Sequence, residues 1–155
     1  MTHIENLRGI IELGGLTSHN AMTGKSHFKL SNDEVQAGRA AITVPVTGRL
    51  LHDYVPLYFG WKTPMVAYNS EHNENMLFLR FSLNVLERGD VVFTDGNART
   101  IGTVFFKYTV IDDLAALDPS AINAVRYRGE PEKNEESRQK SWCQTFFLPL
   151  KSWIS

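Results

Sequence analysis

Residues 50–60 crowd a histidine, an aspartate, two tyrosines and a proline together, and Pro64-Met65 follows closely. Adjacent His52 and Asp53 offer a base and an orienting carboxylate; such a neighbour holds one imidazole tautomer or shifts its pKa. Asp53 suits a general base or a hydrogen-bond orienter, and equally a cap or turn contact. Tyr54 and Tyr58 present stacking faces with polar tips, suited to a nucleobase or to plain core packing. Arg39 stands between Gly38 and Ala40, small neighbours that let a guanidinium clamp a phosphate or simply face solvent. His3 lies close to Glu5 and Asn6, as a nucleotide contact or a surface histidine of the terminus. Cys143 is the only thiol, a nucleophile if its pKa is lowered and an inert packed residue otherwise. Gln144 beside it could read a base edge.

Metal chemistry has little support. His3, His19, His27, His52 and His72 do not stand at zinc-motif spacing with a cysteine or acid. No glycine pattern cradles phosphates. A late basic group, Arg126, Arg128, Lys133, Arg138, Lys140 and Lys151, is interleaved with Glu130, Glu132, Glu135 and Glu136. It is a moderate DNA-contact patch or a solvated segment.

The elements that must position these groups are short. Leu7, Ile10, Ile11 and Leu13 make one helical stripe, stopped by Gly14-Gly15. Residues 16–33 are polar and aperiodic, a long loop of the functional kind. Residues 34–41 suit a helical turn and 42–44 a strand. His52 and Asp53 fall on opposite faces if their segment is a regular strand. Residues 65–68 and 76–81 read as strands joined by a polar hairpin loop, and residues 91–94 as another strand ended by Asp95-Gly96. Residues 112–117 and a segment from Pro119 suit short helices, residues 129–140 an exposed charged stretch, and residues 142–150 a strand. With no repeats visible, residues 1–155 read as one mixed α+β domain.

The chain has 155 residues, 43% hydrophobic and 21% charged, with net charge −1. That composition suits a soluble globular protein and excludes a strongly basic polyanion binder. The lone cysteine excludes an internal disulfide, no basic signal region opens the chain, and no apolar run could span a bilayer; cytoplasmic residence is expected.

The residues 51–65 also resemble the signature of the DarT-type ADP-ribosyltransferases, enzymes that transfer ADP-ribose from NAD to a DNA base. Residues 2–7 resemble the family's opening His-containing strand, Gly38-Arg39-Ala40 its catalytic-arginine segment, and residues 92–96 a further landmark. The resemblance implies a split two-sheet core and NAD contacts from the His3 and Asn6 region. It also puts Arg39 beside NAD, while Tyr54, Tyr58 and Asp95 are further candidates for substrate contact. Near the C-terminus the family reads Gln-any-Glu, the glutamate being its catalytic acid. This chain reads Gln144-Thr145-Phe146. A phenyl ring cannot stabilise an oxocarbenium-like cation as a carboxylate does. Asp53, Asp95 or Glu136 would have to replace it.

The acid-less pattern is also similar to the DpdC group of bacterial 7-deazaguanine DNA modification systems. That likeness implies hydration of a 7-cyano-7-deazaguanine in DNA to the amide, with no cofactor. DNA carrying the modified guanine, and other DNA-modification proteins, would be its partners. Asp53 would activate water, Arg39 or His52 would donate to the developing nitrogen anion, and Cys143 would attack in a covalent variant. Nitrile hydration is the leading expectation. NAD-dependent ADP-ribosyl transfer to DNA, with NAD as substrate, and a non-catalytic module that binds modified DNA or NAD are its alternatives.

Overall fold

The computed structural model describes residues 1–60, 63–122, 145–149 and 151–153. Three small antiparallel sheets organise them. Strands β1 (Thr2–His3) and β4 (Met76–Leu77) form the first. Strands β2 (Gly15–Thr17) and β8 (Lys151–Trp153) form the second. The third runs β3–β7–β5–β6, with β3 at Tyr54–Tyr58, β7 at Thr145–Pro149, β5 at Val92–Thr94 and β6 at Phe105–Lys107. A late strand thus slots between two earlier ones. Pro56 sits in edge strand β3, where its missing N–H costs no ladder bond.

Alternation along these strands builds a core on each face. Val55, Leu57 and Phe93 pack with Val85, Leu86, Val91 and Leu117 on one side. Tyr54, Val92 and Phe147 pack with Val44, Leu51 and Ala98 on the other. Phe93 is wholly buried and stacks on Phe106, ring centroids 5.1 Å apart.

Helix α1 (Leu7–Glu12) follows a single turn over Ile4–Asn6, as its apolar stripe predicts. Helix α2 (Asp33–Ala40) is capped by Asn32, whose side chain accepts from the Val35 N–H at 3.1 Å. Helices α3 (Pro64–Tyr68) and α4 (Pro119–Ile122) both open on proline, favoured at the first helical position.

Several local expectations give way. Residues 65–68 are helical, not extended, because Pro64 starts a turn there. Residues 76–81 hold strand only at Met76–Leu77, which pairs with the N-terminus instead of closing a hairpin. Residues 42–44 contribute only an isolated bridge, Thr43 to Leu50. The loop over 16–33 contains β2 and a turn at Asn20–Met22. Leu51–Asp53 is a 3-10 turn before β3, so strand parity does not separate His52 from Asp53. Among the described residues, no helix is long and apolar enough to cross a membrane.

Candidate functional site: a cleft walled by Arg39

Arg39 emerges from the last turn of α2, where a cation complements the helix dipole. It walls two cavities. The larger, about 470 Å³, lies between the N-terminal segment, the loop around Phe28, the end of β3 and residues 78–83. Met1, Asn6, Phe28, Gln36, Tyr58 and Arg80 are among its walls. The smaller, about 170 Å³, is lined by His19, Ser31, Gln36, Arg39, His52, Tyr54 and Phe147, with Leu51 and Pro56. A third, about 790 Å³, lies across Phe28 and Asn6, against α1 and residues 15–28.

His3 is buried at 4% exposure, so the surface alternative does not hold. Its ring stacks on Phe28 at 3.7 Å between centroids, and its Nδ1 accepts from the Glu5 N–H at 3.3 Å. His72 meets the Phe28 ring edge-on at 5.4 Å. Asn6 clasps the same loop from both sides. Its Oδ1 accepts from the Phe28 N–H at 2.7 Å, and its Nδ2 donates to the Phe28 carbonyl at 2.9 Å and to Thr2 Oγ1 at 3.2 Å. The amide is thus occupied in bracing the wall of the cleft.

His52 is 7% exposed, with Nε2 buried and lacking a hydrogen-bond partner. Arg39 Nε is buried without a partner as well. Desolvation pushes the His52 pKa below its ordinary value; neighbouring His19 and Arg39 add to that, and Asp53 opposes it. His19 lies 4.2 Å from His52 between ring centroids. A neutral imidazole beside a guanidinium is the result.

Asp53 accepts from Asn20 Nδ2 at 2.7 Å and walls none of these cavities. Asp95 closes its own turn, accepting from the Val104 N–H at 2.9 Å, and also stands outside them. Tyr54 is buried, its hydroxyl 2.6 Å from Thr47 Oγ1 and its ring under the Arg49 guanidinium at 5.3 Å. Tyr58 walls the larger cavity. Cys143, Gln144 and Glu136 lie outside the described residues, as do Arg126, Arg128, Lys133, Arg138 and Lys140 of the basic group.

The sequence reading passed over Phe28, Gln36 and His19. Nothing local marked them; Phe28 and His19 reach the cavities from the 16–33 loop and Gln36 from α2. None of the described residues walling the two Arg39 cavities is an aspartate or glutamate. In register, position 146 falls opposite Leu57 and Phe93, and position 147 opposite Pro56 and Val92. Leu57 lines the larger cavity and Phe147 the smaller.

Three small antiparallel sheets and short helices around an arginine-walled cleft define a mixed α+β domain. Residues 1–146 match the family model described as ssDNA thymidine ADP-ribosyltransferase, DarT, and the chain belongs to that family. A DNA ADP-ribosyl transferase of Thermus sp. (strain 2.9) is 33% identical over 148 residues, covering 89% of this chain and 69% of the relative. One from Thermus aquaticus is 32% identical over 145 residues, covering 87% of this chain and 64% of the relative. This chain therefore spans about two thirds of the length of those relatives. The Thermus sp. 2.9 DarT in complex with ADP-ribosylated ssDNA matches with TM-score 0.79 at 31% identity, over 98% of this chain and 73% of that one. The same protein in complex with NAD+ matches with TM-score 0.71 at 32% identity, again over 98% of this chain and 73% of that one.

These matches overturn nitrile hydration as the leading expectation. The relatives are DNA ADP-ribosyl transferases, and the solved structures hold NAD+ or ADP-ribosylated ssDNA. Neither a hydratase assignment nor a modified-guanine substrate has any support in them. One substitution, Phe146, does not outweigh the family pattern around it.

Proposed function

We propose that the chain is an NAD-dependent ADP-ribosyltransferase acting on a base of single-stranded DNA. The observation that carries this reading is the likeness, across nearly the whole chain, to a DarT solved with ADP-ribosylated ssDNA. NAD enters as a substrate, not as a resident cofactor. The glycosidic bond to nicotinamide breaks with its electron pair leaving on nicotinamide. A base nitrogen then bonds to the ribose carbon and loses its proton.

The chain's own groups suit parts of that task. Arg39 offers a buried, unpaired Nε–H toward a phosphate or a base carbonyl. The His3–Phe28 stack, held by Asn6, fixes a wall between two cavities wide enough for nucleotide portions. A half-buried Gln36 walls both Arg39 cavities and supplies an amide for a base edge.

A second reading keeps binding and drops turnover. The absence of a carboxylate from the described walls of both Arg39 cavities favours it. One experiment separates the two. The protein is incubated with NAD and a thymidine-containing single-stranded oligonucleotide, and the oligonucleotide is weighed. A gain of one ADP-ribose, lost in Arg39→Ala by about a hundredfold or more, supports transfer. Calorimetric NAD binding with no mass gain supports the binding module. Neither binding nor gain removes both.

A further inference from the structure

The cleft's arginine is held by a loop distant from it in sequence. Arg39 Nη2 donates to Asn97 Oδ1 at 3.4 Å. The same oxygen accepts from the Arg99 backbone N–H at 3.2 Å, so one acceptor is shared and both bonds are long. The Asn97 carbonyl accepts from Thr103 Oγ1 at 2.8 Å and from the Thr100 N–H at 2.8 Å. At the loop's base, Asp95 accepts from the Val104 N–H at 2.9 Å, and buried Thr94 donates to the Gly96 carbonyl at 2.7 Å. Residues 95–104 thus form a braced turn rising from the core sheet.

That turn lies directly on α2. A Cβ built on Gly38 would stand 2.8 Å from Arg99 Nε, so the absent side chain is what lets the Arg99 guanidinium cross the helix there. Two contacts one residue apart, at Gly38 and Arg39, therefore dock the turn against the end of α2. A guanidinium with rotatable stem loses orientation unless something fixes it. Among the described residues, Asn97 supplies the side-chain acceptor that does so for Arg39, and the buried Nε is left without a partner.

We infer that Asn97 is the positioning residue of the cleft: its side-chain oxygen orients the Arg39 guanidinium toward bound nucleotide. For catalysis this rests on the transferase reading given above; for the orientation of Arg39 it does not. The backbone braces of the turn do not use the Asn97 amide nitrogen. Asn97→Asp therefore keeps the acceptor and strengthens it by charge, whereas Asn97→Ala removes it.

The test uses the full chain labelled with 15N, with the Arg39 Nη2–H resonance assigned by its loss in Arg39→Lys. In Asn97→Ala, hydrogen exchange at that Nη2–H is expected to speed about tenfold, the scale of one hydrogen bond to a charged group. In Asn97→Asp it stays at or below the wild-type rate. Transfer to single-stranded DNA follows the same order, with kcat/KM falling about tenfold in Asn97→Ala and recovering in Asn97→Asp. Unchanged exchange in Asn97→Ala, or faster exchange in Asn97→Asp, overturns the inference. If the alanine variant does not fold, the aspartate variant alone decides it. Exchange in the expected order without transfer by wild type would remove the transferase reading and leave the positioning role standing.

Discussion

Phe146 stands where the family resemblance puts a catalytic glutamate. Its strand position pairs with Leu57 and Phe93, both core residues. Transfer requires charge stabilisation of a cationic ribose, which a carboxylate supplies and a phenyl ring does not. Phe146→Glu is expected to raise ADP-ribosyl transfer at least about tenfold over wild type. Oligonucleotide mass spectrometry checks it; a folded variant with no gain would mean that another residue already does the work. His52 makes a second prediction. Its folded pKa lies below the ordinary 6.5, so the unfolded state binds more protons as pH falls past that value. Stability should therefore be full above about pH 6.5, where His52 is neutral in both states, and decline below it. The decline ends once pH passes the folded pKa. Melting curves from pH 7.5 to pH 5 check this, and His52→Gln should flatten the dependence.

At the scale of elements, α2 is the support of the site, because it ends on Arg39. Its N-terminus depends on Asn32, whose Oδ1 caps the Val35 N–H and whose Nδ2 reaches Tyr68 Oη at 3.2 Å. Asn32→Ala is expected to cost about 1 kcal/mol in urea melts. Asn32→Asp should retain the cap, and equal loss in both would assign the stability to the Tyr68 contact instead. The helix itself was legible in the sequence, as were α1, β3, β5 and α4, but its Asn32 cap was not, since that residue lay in the stretch read as loop. The strand at Phe105–Lys107 was not, since three residues carry no reliable period and only pairing with β5 defines them. Residues 64–68 misled for the related reason that a single apolar turn looks alike in helix and strand.

At the scale of the whole molecule, β7 is the keystone. It pairs with β3 over residues 145–149 and with β5 over 145–147, joining chain positions about ninety and fifty residues earlier. Both hydrophobic clusters meet across that sheet, with Phe93 at the centre of one. Phe93→Ala should cost about 3–5 kcal/mol, read from the shift in urea midpoint. Because Leu57 and Val85 of the same cluster also line the larger cavity, NAD binding should weaken with it. Unaltered binding in a clearly destabilised variant would separate cleft from core.

The amino-acid order alone determined the local pieces: the apolar stripe of α1, the helical stretch of α2, and which motifs mark the family. Arg39 and His3 were recognisable because those motifs are contiguous. Only tertiary structure decided that His19 would face His52, that Phe28 would cover His3, and that Asn97 would reach Arg39 from 58 residues away. Such encounters follow from long-range strand pairing and loop closure. Those leave no periodic trace in the residues that later touch, so no local pattern could have announced them.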